Sequence, residues 1–391
     1  MKNILLSSAA IALLAGAASA EVTWSGDAEI GYNDDVEDGA YWDAGLYVNL
    51  SQELNNGWTV TGALDIDLED DDAGSGSSSY DLGSVSTSDW VLTLSNDMFT
   101  FSAGDIDTAM ASFDYVTGLF SATDAVDDAL GLDTLSDDSS DYTGIPDDTS
   151  AGLLVSAEYG QFSGAYSAII ADGDLGAQQL VLGGDFDVVE VGFFYAEEDT
   201  DYVLASEQYA LTVSGSFAGF EVTGSYGKTD YFGFGDGSAY GIEVAYPVGA
   251  VTLGAYYTGY DVDGADLDGA YGVSVDYADG PITVSAYYGS GLLFDGTNIV
   301  DDAAEYAIEG QYDFGMGLVM TAGYIDGDDE DDNDFAAYIV AEYDLGGGAT
   351  FLASYADATN YDESGDLDDI DTGVGGYELN YGTTLAVSFE F

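Results

Sequence analysis

Apolar and polar residues alternate along most of this chain with a period of two. Between Glu21 and Tyr32, the residues Val22, Trp24, Gly26, Ala28, Ile30 and Tyr32 fall on one face, and Thr23, Ser25, Asp27, Glu29 and Gly31 on the other. Trp42, Ala44, Leu46, Val48 and Leu50 likewise oppose Asp43, Gly45, Tyr47, Asn49 and Ser51. After a turn at Asn55-Asn56-Gly57, Trp58, Val60, Gly62, Leu64, Ile66 and Leu68 oppose Thr59, Thr61, Ala63, Asp65, Asp67 and Glu69. This alternation puts the two sets on opposite sides of a sheet. Segments of about ten residues are long enough to cross a bilayer at a tilt. An Asn-Gly pair tolerates the positive φ of a tight hairpin.

A Ser/Gly/Asp loop over Glu69 to Ser88 leads to another hairpin, Asp89 to Gly104, turning at Asn96-Asp97. Seven more hairpins turn near Gly160, Asp187, Gly219, Val248, Gly280, Gly315 and Gly347. They form a repeat. Each second strand carries an apolar-face Tyr near its end, at Tyr166, Tyr195, Tyr226, Tyr257, Tyr288, Tyr324 and Tyr355. Each turn is preceded by an aromatic, at Tyr159, Phe186, Phe217, Tyr246, Tyr277, Phe314 and Tyr343. Two rows of aromatics at the two edges of an apolar band are the girdles of a lipid-facing barrel. A Tyr-rich soluble sandwich or propeller is the alternative, but it would not confine aromatics to strand ends. Connections also alternate between short turns and longer Asp/Gly-rich loops, as they do between the two sides of an outer membrane. The expected fold is therefore all-β, a transmembrane antiparallel β-barrel. Nine hairpins with a first and a last strand make twenty strands, and uncertain boundaries leave sixteen and eighteen open.

One stretch breaks the pattern. Asp105 to Ser150 holds twelve acids, no Lys or Arg, and no sustained alternation: Asp105, Asp107, Asp114, Asp124, Asp127, Asp128, Asp133, Asp137, Asp138, Asp141, Asp147 and Asp148. A long segment without regular structure belongs in a compact domain only when it does a job. It is expected to fold into the lumen and narrow it.

Composition sharpens this picture. Lys2, the apolar run Ile4 to Leu14 and Ala18-Ser19-Ala20 read as a secretory signal peptide over residues 1–20, which leaves 21–391 as the barrel. Removing it leaves Lys228 as the one basic side chain against 75 acids, with no Arg or His. Such a surface repels nucleic acid and attracts cations. The 47% hydrophobic content argues against the disorder that so much charge would otherwise imply. With no Cys and no His, zinc sites built on those ligands, thiol nucleophiles and Ser-His-Asp hydrolysis are excluded. No phosphate loop, dinucleotide fingerprint or catalytic constellation is found, so an enzyme is not expected.

Through four stretches, beginning at Glu21, Phe101, Tyr343 and Leu385, the chain resembles a general diffusion porin of the Gram-negative outer membrane, of the alphaproteobacterial type found in photosynthetic purple bacteria. The start Glu21-Val-Thr-Trp-Ser-Gly-Asp-Ala-Glu is similar to that family's first strand. Phe101-Ser-Ala-Gly-Asp-Ile-Asp-Thr-Ala resembles the strand entering its constriction loop, and Tyr343-Asp-Leu-Gly-Gly-Gly-Ala-Thr its late periplasmic hairpin. Leu385-Ala-Val-Ser-Phe-Glu-Phe391 matches the aromatic-terminated strand by which the barrel-assembly machinery recognises such proteins. The resemblance implies a homotrimeric channel among outer-membrane lipid and lipopolysaccharide, usually of sixteen strands. It also implies an eyelet formed by the loop after the fifth strand, often with bound calcium. The family sets that acidic loop against a cluster of Arg and Lys. This chain has none to offer, since Lys228 falls in an external loop by the pattern.

Parity places Asp27, Glu29, Asp43, Asp65, Asp67, Glu158, Asp185, Glu190, Glu221, Glu243, Asp276, Glu305, Glu309, Glu342 and Asp344 on the inward face. Asp27, Glu29, Asp65, Asp67 and Glu158 are candidates for the pore wall, and Asp105, Asp107, Asp114, Asp124, Asp127 and Asp128 for the constriction. Rings of carboxylates select cations, which predicts a passive, water-filled, cation-preferring porin. Salt adaptation would also explain the acid excess, but not the missing basic wall. Crowded carboxylates repel one another unless cations sit between them, which makes Asp127-Asp128, Asp137-Asp138 and Asp147-Asp148 candidate Ca²⁺ or Mg²⁺ ligands. The rival readings are a substrate-specific channel, with Phe113, Tyr115 and Phe120 beginning an aromatic path, and a secreted calcium-dependent adhesin.

Overall fold

The computed structural model describes residues 21–34, 39–54, 56–69, 84–86, 90–112, 151–171, 174–198, 205–231, 235–262, 269–294, 299–328, 335–358, 366–367 and 379–391. They form a closed antiparallel barrel of 20 strands. The count read from the alternation is the count observed; sixteen and eighteen are excluded. In chain order the first five are Glu21–Asn33, Ala40–Glu53, Thr59–Glu69, Trp90–Ser95 and Phe99–Gly104. Fifteen more follow from Ala151–Tyr159 to Gly382–Glu390. Each pairs with its sequence neighbour, and the last pairs with the first, from Asp27↔Glu390 to Asn33↔Thr384. Ser84–Ser86 adds a short strand beside the loop end of Thr59–Glu69.

Closure satisfies the ladder without leaving an edge, which is what a chain crossing hydrocarbon requires. At the loop end of the seam, the buried Asn33 amide donates to Tyr381 O and Thr384 Oγ1, both at 2.8 Å.

The barrel is inverted relative to a soluble protein. Trp24, Leu64, Leu92, Tyr166, Leu182, Val213, Ile242, Val273, Ile308 and Leu385 stand exposed on the outer face. Ser167, Gln179, Gln208, Thr229, Thr258, Glu309 and Thr321 are buried on the inner one. The two aromatic rows lie on the outer face near the strand ends. At the loop end, the Tyr306 and Tyr324 hydroxyls both donate to Asp326 Oδ2, at 2.7 and 2.5 Å, and Tyr324 stacks on Phe335. A ring body in lipid with its polar tip on a carboxylate suits the membrane–water boundary.

The short turns share a device. Asp185, Asp313 and Asp344 each accept, through Oδ1, the backbone N–H two residues on, at 3.1, 2.7 and 2.7 Å. These are Asx-turns, in which the side chain substitutes for a backbone acceptor. Asp185 and Asp344, which parity places among the inward acids, serve here as turn formers. The turn after Asp344 runs through Gly346, Gly347 and Gly348 at φ 81°, 71° and 81°, a succession that only glycine adopts without strain.

Candidate functional site: the barrel lumen

The entrance to the long acidic segment is built on one glycine. Gly104 ends the fifth strand at φ 126°, where a side chain would strike the Trp90 carbonyl. Asp105 N–H then donates to Trp90 O at 3.0 Å. Beyond it the chain leaves the ladder and runs onto the inner wall. Ala109 N–H donates to Ser167 Oγ at 2.9 Å, and Met110 N–H to Gln179 Oε1 at 2.8 Å. Both acceptors stand on the inner face, paired with each other across Phe162–Ala171 and Asp174–Asp185. A single 3₁₀ turn, Met110–Ser112, follows.

Under that turn lies an apolar patch of the inner wall, one of two among the described residues; the other gathers Ala307, Ala336, Tyr338, Val340, Ala356 and Leu379. Ala109, Val181, Phe194, Ala196 and Ala210 form a buried cluster, with Met110 and Ala165 against it. Phe194 is 0% exposed although it sits on the inner face. The docking alternates: Ile106 and Thr108 are buried, while Asp107 between them is exposed. The wall takes the small and apolar side chains, and the carboxylate is left to water.

Sequence reasoning missed Ser167, Gln179 and Phe194. A signal for the last was present: Leu180-Val181-Leu182 and Phe193-Phe194-Tyr195 are unbroken apolar runs, which put an apolar residue on each face of a strand that should be polar on one. Of the six constriction residues read from sequence, Asp105 and Asp107 are described. Asp114, Asp124, Asp127 and Asp128 lie outside the described residues, as do Asp137, Asp138, Asp147 and Asp148. The metal pairs are thus not placed. Among the described residues, no group of three or more potential ligands is gathered around a common point.

The residues expected on the pore wall have these positions in the register. Glu29 faces Asp43, and Asp27 faces Gly45 and Glu390, across the inner face of the first, second and last strands. Asp65 pairs with Tyr47 and Asp67 with Gly45, in positions on the same face. Glu158 pairs with Ser163. Further round, Glu243 faces Tyr256, and Asp276 accepts a 2.6 Å bond from Ser285 Oγ. Glu309, in register with Ser285 on the inner wall, is fully buried.

Lys228 is not in a loop. It lies within the strand Phe220–Tyr231, in register with Tyr209 on one side and Ser238 on the other. That is the parity of Tyr226, so it belongs to the outer face. The only other basic residue, Lys2, lies outside the described residues. The lining therefore sets carboxylates, hydroxyls, amides and tyrosines beside its two apolar clusters, with no cation-bearing side chain from the barrel strands.

A family model of the Gram-negative porins matches residues 7–293. Among solved structures, an engineered variant of the Rhodopseudomonas blastica porin is 17% identical, covering 69% of this chain and 95% of that one, with a TM-score of 0.43. A loop-deleted form of OmpT, an outer membrane protein of Vibrio cholerae, is 14% identical over 95% of this chain and 99% of that one, at 0.39. No curated protein sequence matches. The family match spans most of the chain, and on it this chain belongs to the Gram-negative porin family, as a channel protein of the outer membrane.

Proposed function

We propose that the chain is a passive, water-filled channel for ions and small hydrophilic solutes that prefers cations. The observation that carries this reading is the one-sided charge of the lining. Asp27, Glu29, Asp43, Glu158 and Glu243 stand on the inner face, and Lys228 is turned outward. A pore lined by carboxylates with no opposing base lowers the energy of a cation along its whole path and raises that of an anion. On this reading the segment 105–150 narrows the lumen from its anchor on Ser167 and Gln179, and its acids add to the field. Residues 1–20 are removed on export through the Sec route. The barrels associate as homotrimers among lipopolysaccharide, and Ca²⁺ or Mg²⁺ neutralises part of the crowded charge.

The test is the zero-current potential of the purified, refolded protein in a planar bilayer under a tenfold KCl gradient. The expected result is a potential of cation-selective sign approaching the ideal limit of about 59 mV. A value near zero, or of anion-selective sign, overturns the proposal.

A further inference from the structure

We propose that tyrosine–carboxylate units on the inner wall bind organic cations in transit, quaternary ammonium groups above all. The proposal rests on the cation-preferring reading and names the solute class it favours.

Three such units stand on the inner face, each built over a glycine. Tyr41 lies across Gly31, where a Cβ would come within 2.5 Å of its Cε1, and its hydroxyl bonds the Glu29 carboxylate. Tyr47 and Asp27 converge on Gly45, whose Cβ would lie 2.5 Å from Tyr47 Oη and 2.7 Å from Asp27 Oδ1. Tyr256 lies across Gly272, where a Cβ would meet its Cζ at 2.6 Å, and its Oη reaches to 3.2 Å from the same point on Gly289. Glu243 is the cross-strand neighbour of Tyr256 on the other side. Each ring is held close to the sheet because the neighbour beneath it has no side chain, and each has an acid beside it. All three are only partly buried, so they remain open to solutes. They stand on strands other than Phe162–Ala171 and Asp174–Asp185, on which residues 109 and 110 dock.

The chemistry of such a unit is specific. A tyrosine face carries the negative lobe of the ring quadrupole and attracts a cation placed over it. The adjacent carboxylate supplies the longer-range attraction and a hydrogen-bond acceptor. K⁺ and Na⁺ meet the ring only after giving up strongly held water. A quaternary ammonium group is weakly hydrated, and its polarised C–H groups sit on a ring at little cost. A wall of acids alone attracts any cation, whereas a wall of acids beside flat rings discriminates in favour of the organic ones. With Lys228 on the outer face, no internal cation competes for the rings.

The experiment uses the full-length refolded channel with choline chloride as the probe. Choline added during KCl recordings is expected to reduce the single-channel K⁺ current saturably. In Tyr41→Leu/Tyr256→Leu, the half-blocking concentration is expected to rise about tenfold, the loss of one desolvated cation–π contact. The ring-preserving Tyr41→Phe/Tyr256→Phe keeps the block near the wild-type value and controls for folding. Tyr240→Leu, which removes an outward ring lying over Gly259, leaves it unchanged. No block of the wild-type channel, or equal block of wild type and the double leucine variant, overturns the inference. The KCl zero-current potential separates the two readings. A cation-selective channel that ignores choline refutes the tyrosine sites alone, and one without cation selectivity refutes the reading beneath them.

Discussion

Gly26 and Phe391 exchange both of their backbone hydrogen bonds, N to O in each direction at 2.9 Å. This pair extends the ladder that begins at Asp27↔Glu390 and fastens the seam at its turn end. The Phe391 ring lies over Gly26, where a Cβ would stand 2.9 Å from its Cζ and 2.6 Å from the Gly45 carbonyl oxygen. Gly26→Val thus sets a side chain against both the neighbouring strand and the ring. Overpacking of this kind costs about 1–3 kcal/mol. Less protein should run at the fast mobility of folded barrel on unheated gels, and Phe391 deletion should have the same effect by removing the ring and both bonds.

The anchor of the long segment is separable from the barrel. Ser167→Ala with Gln179→Leu removes the acceptors of two backbone N–H groups, at about 1 kcal/mol each. Phe194→Ala empties the space under Ala109 and Met110, at a cost of about 3 kcal/mol. The barrel ladder should survive both changes. The expected outcome is noisier open-channel current and faster proteolytic cutting within 105–150, with unchanged mobility of the folded barrel on unheated gels.

How far the sequence disclosed this structure follows from which contacts are local. A period of two allows no partial error, since a slip of one residue sends every side chain to the other face. The strand count and the turn positions were therefore legible. The anchor was not, because it joins residues 58 and 69 positions apart, and no local pattern encodes that. Its trace was the pair of apolar runs around Val181 and Phe194. Lys228 was misplaced because Gly227-Lys228-Thr229-Asp230 has the composition of a loop, while its backbone stays paired with 236–239. Asp185 and Asp344 have inward parity, but at a strand end the nearest donor is the turn itself.

Charge on the inner wall should set selectivity, and charge outside should not. Asp27→Asn, Glu29→Gln and Asp43→Asn combined are expected to lower the zero-current potential in a KCl gradient. Lys228→Gln is expected to leave it unchanged.

The triple-glycine turn can be probed by itself. Gly347→Val forces a branched residue into φ 71°, at a cost of about 1–2 kcal/mol. It should lower the temperature at which the folded band converts to the unfolded one. Pore conductance, set far from that turn, should stay the same.

Divalent cations should matter in proportion to the crowding of acids such as Glu29 and Asp43, which face each other across adjacent strands. Like charges directly opposite are destabilising, so a chelator should lower the melting temperature and Ca²⁺ or Mg²⁺ should restore it. Monovalent salt should recover only part of the loss, by screening.

The inversion of the barrel reverses where the sequence is free to drift. In a soluble domain the interior is a jigsaw that resists substitution and the exterior is permissive. Here the outward face asks of most positions only that they dissolve in lipid, so Leu, Val and Ile are close to interchangeable there. On the inward face the Phe194 patch, the cluster around Tyr338 and Val340, the glycine-seated tyrosines and the buried Glu309 are packed, whereas exposed acids such as Asp43 and Glu158 can be exchanged at little cost to folding. For an engineer, or for selection acting on a changing environment, this lumen is a rewritable surface. New solute preferences can be introduced there one residue at a time without renegotiating the fold.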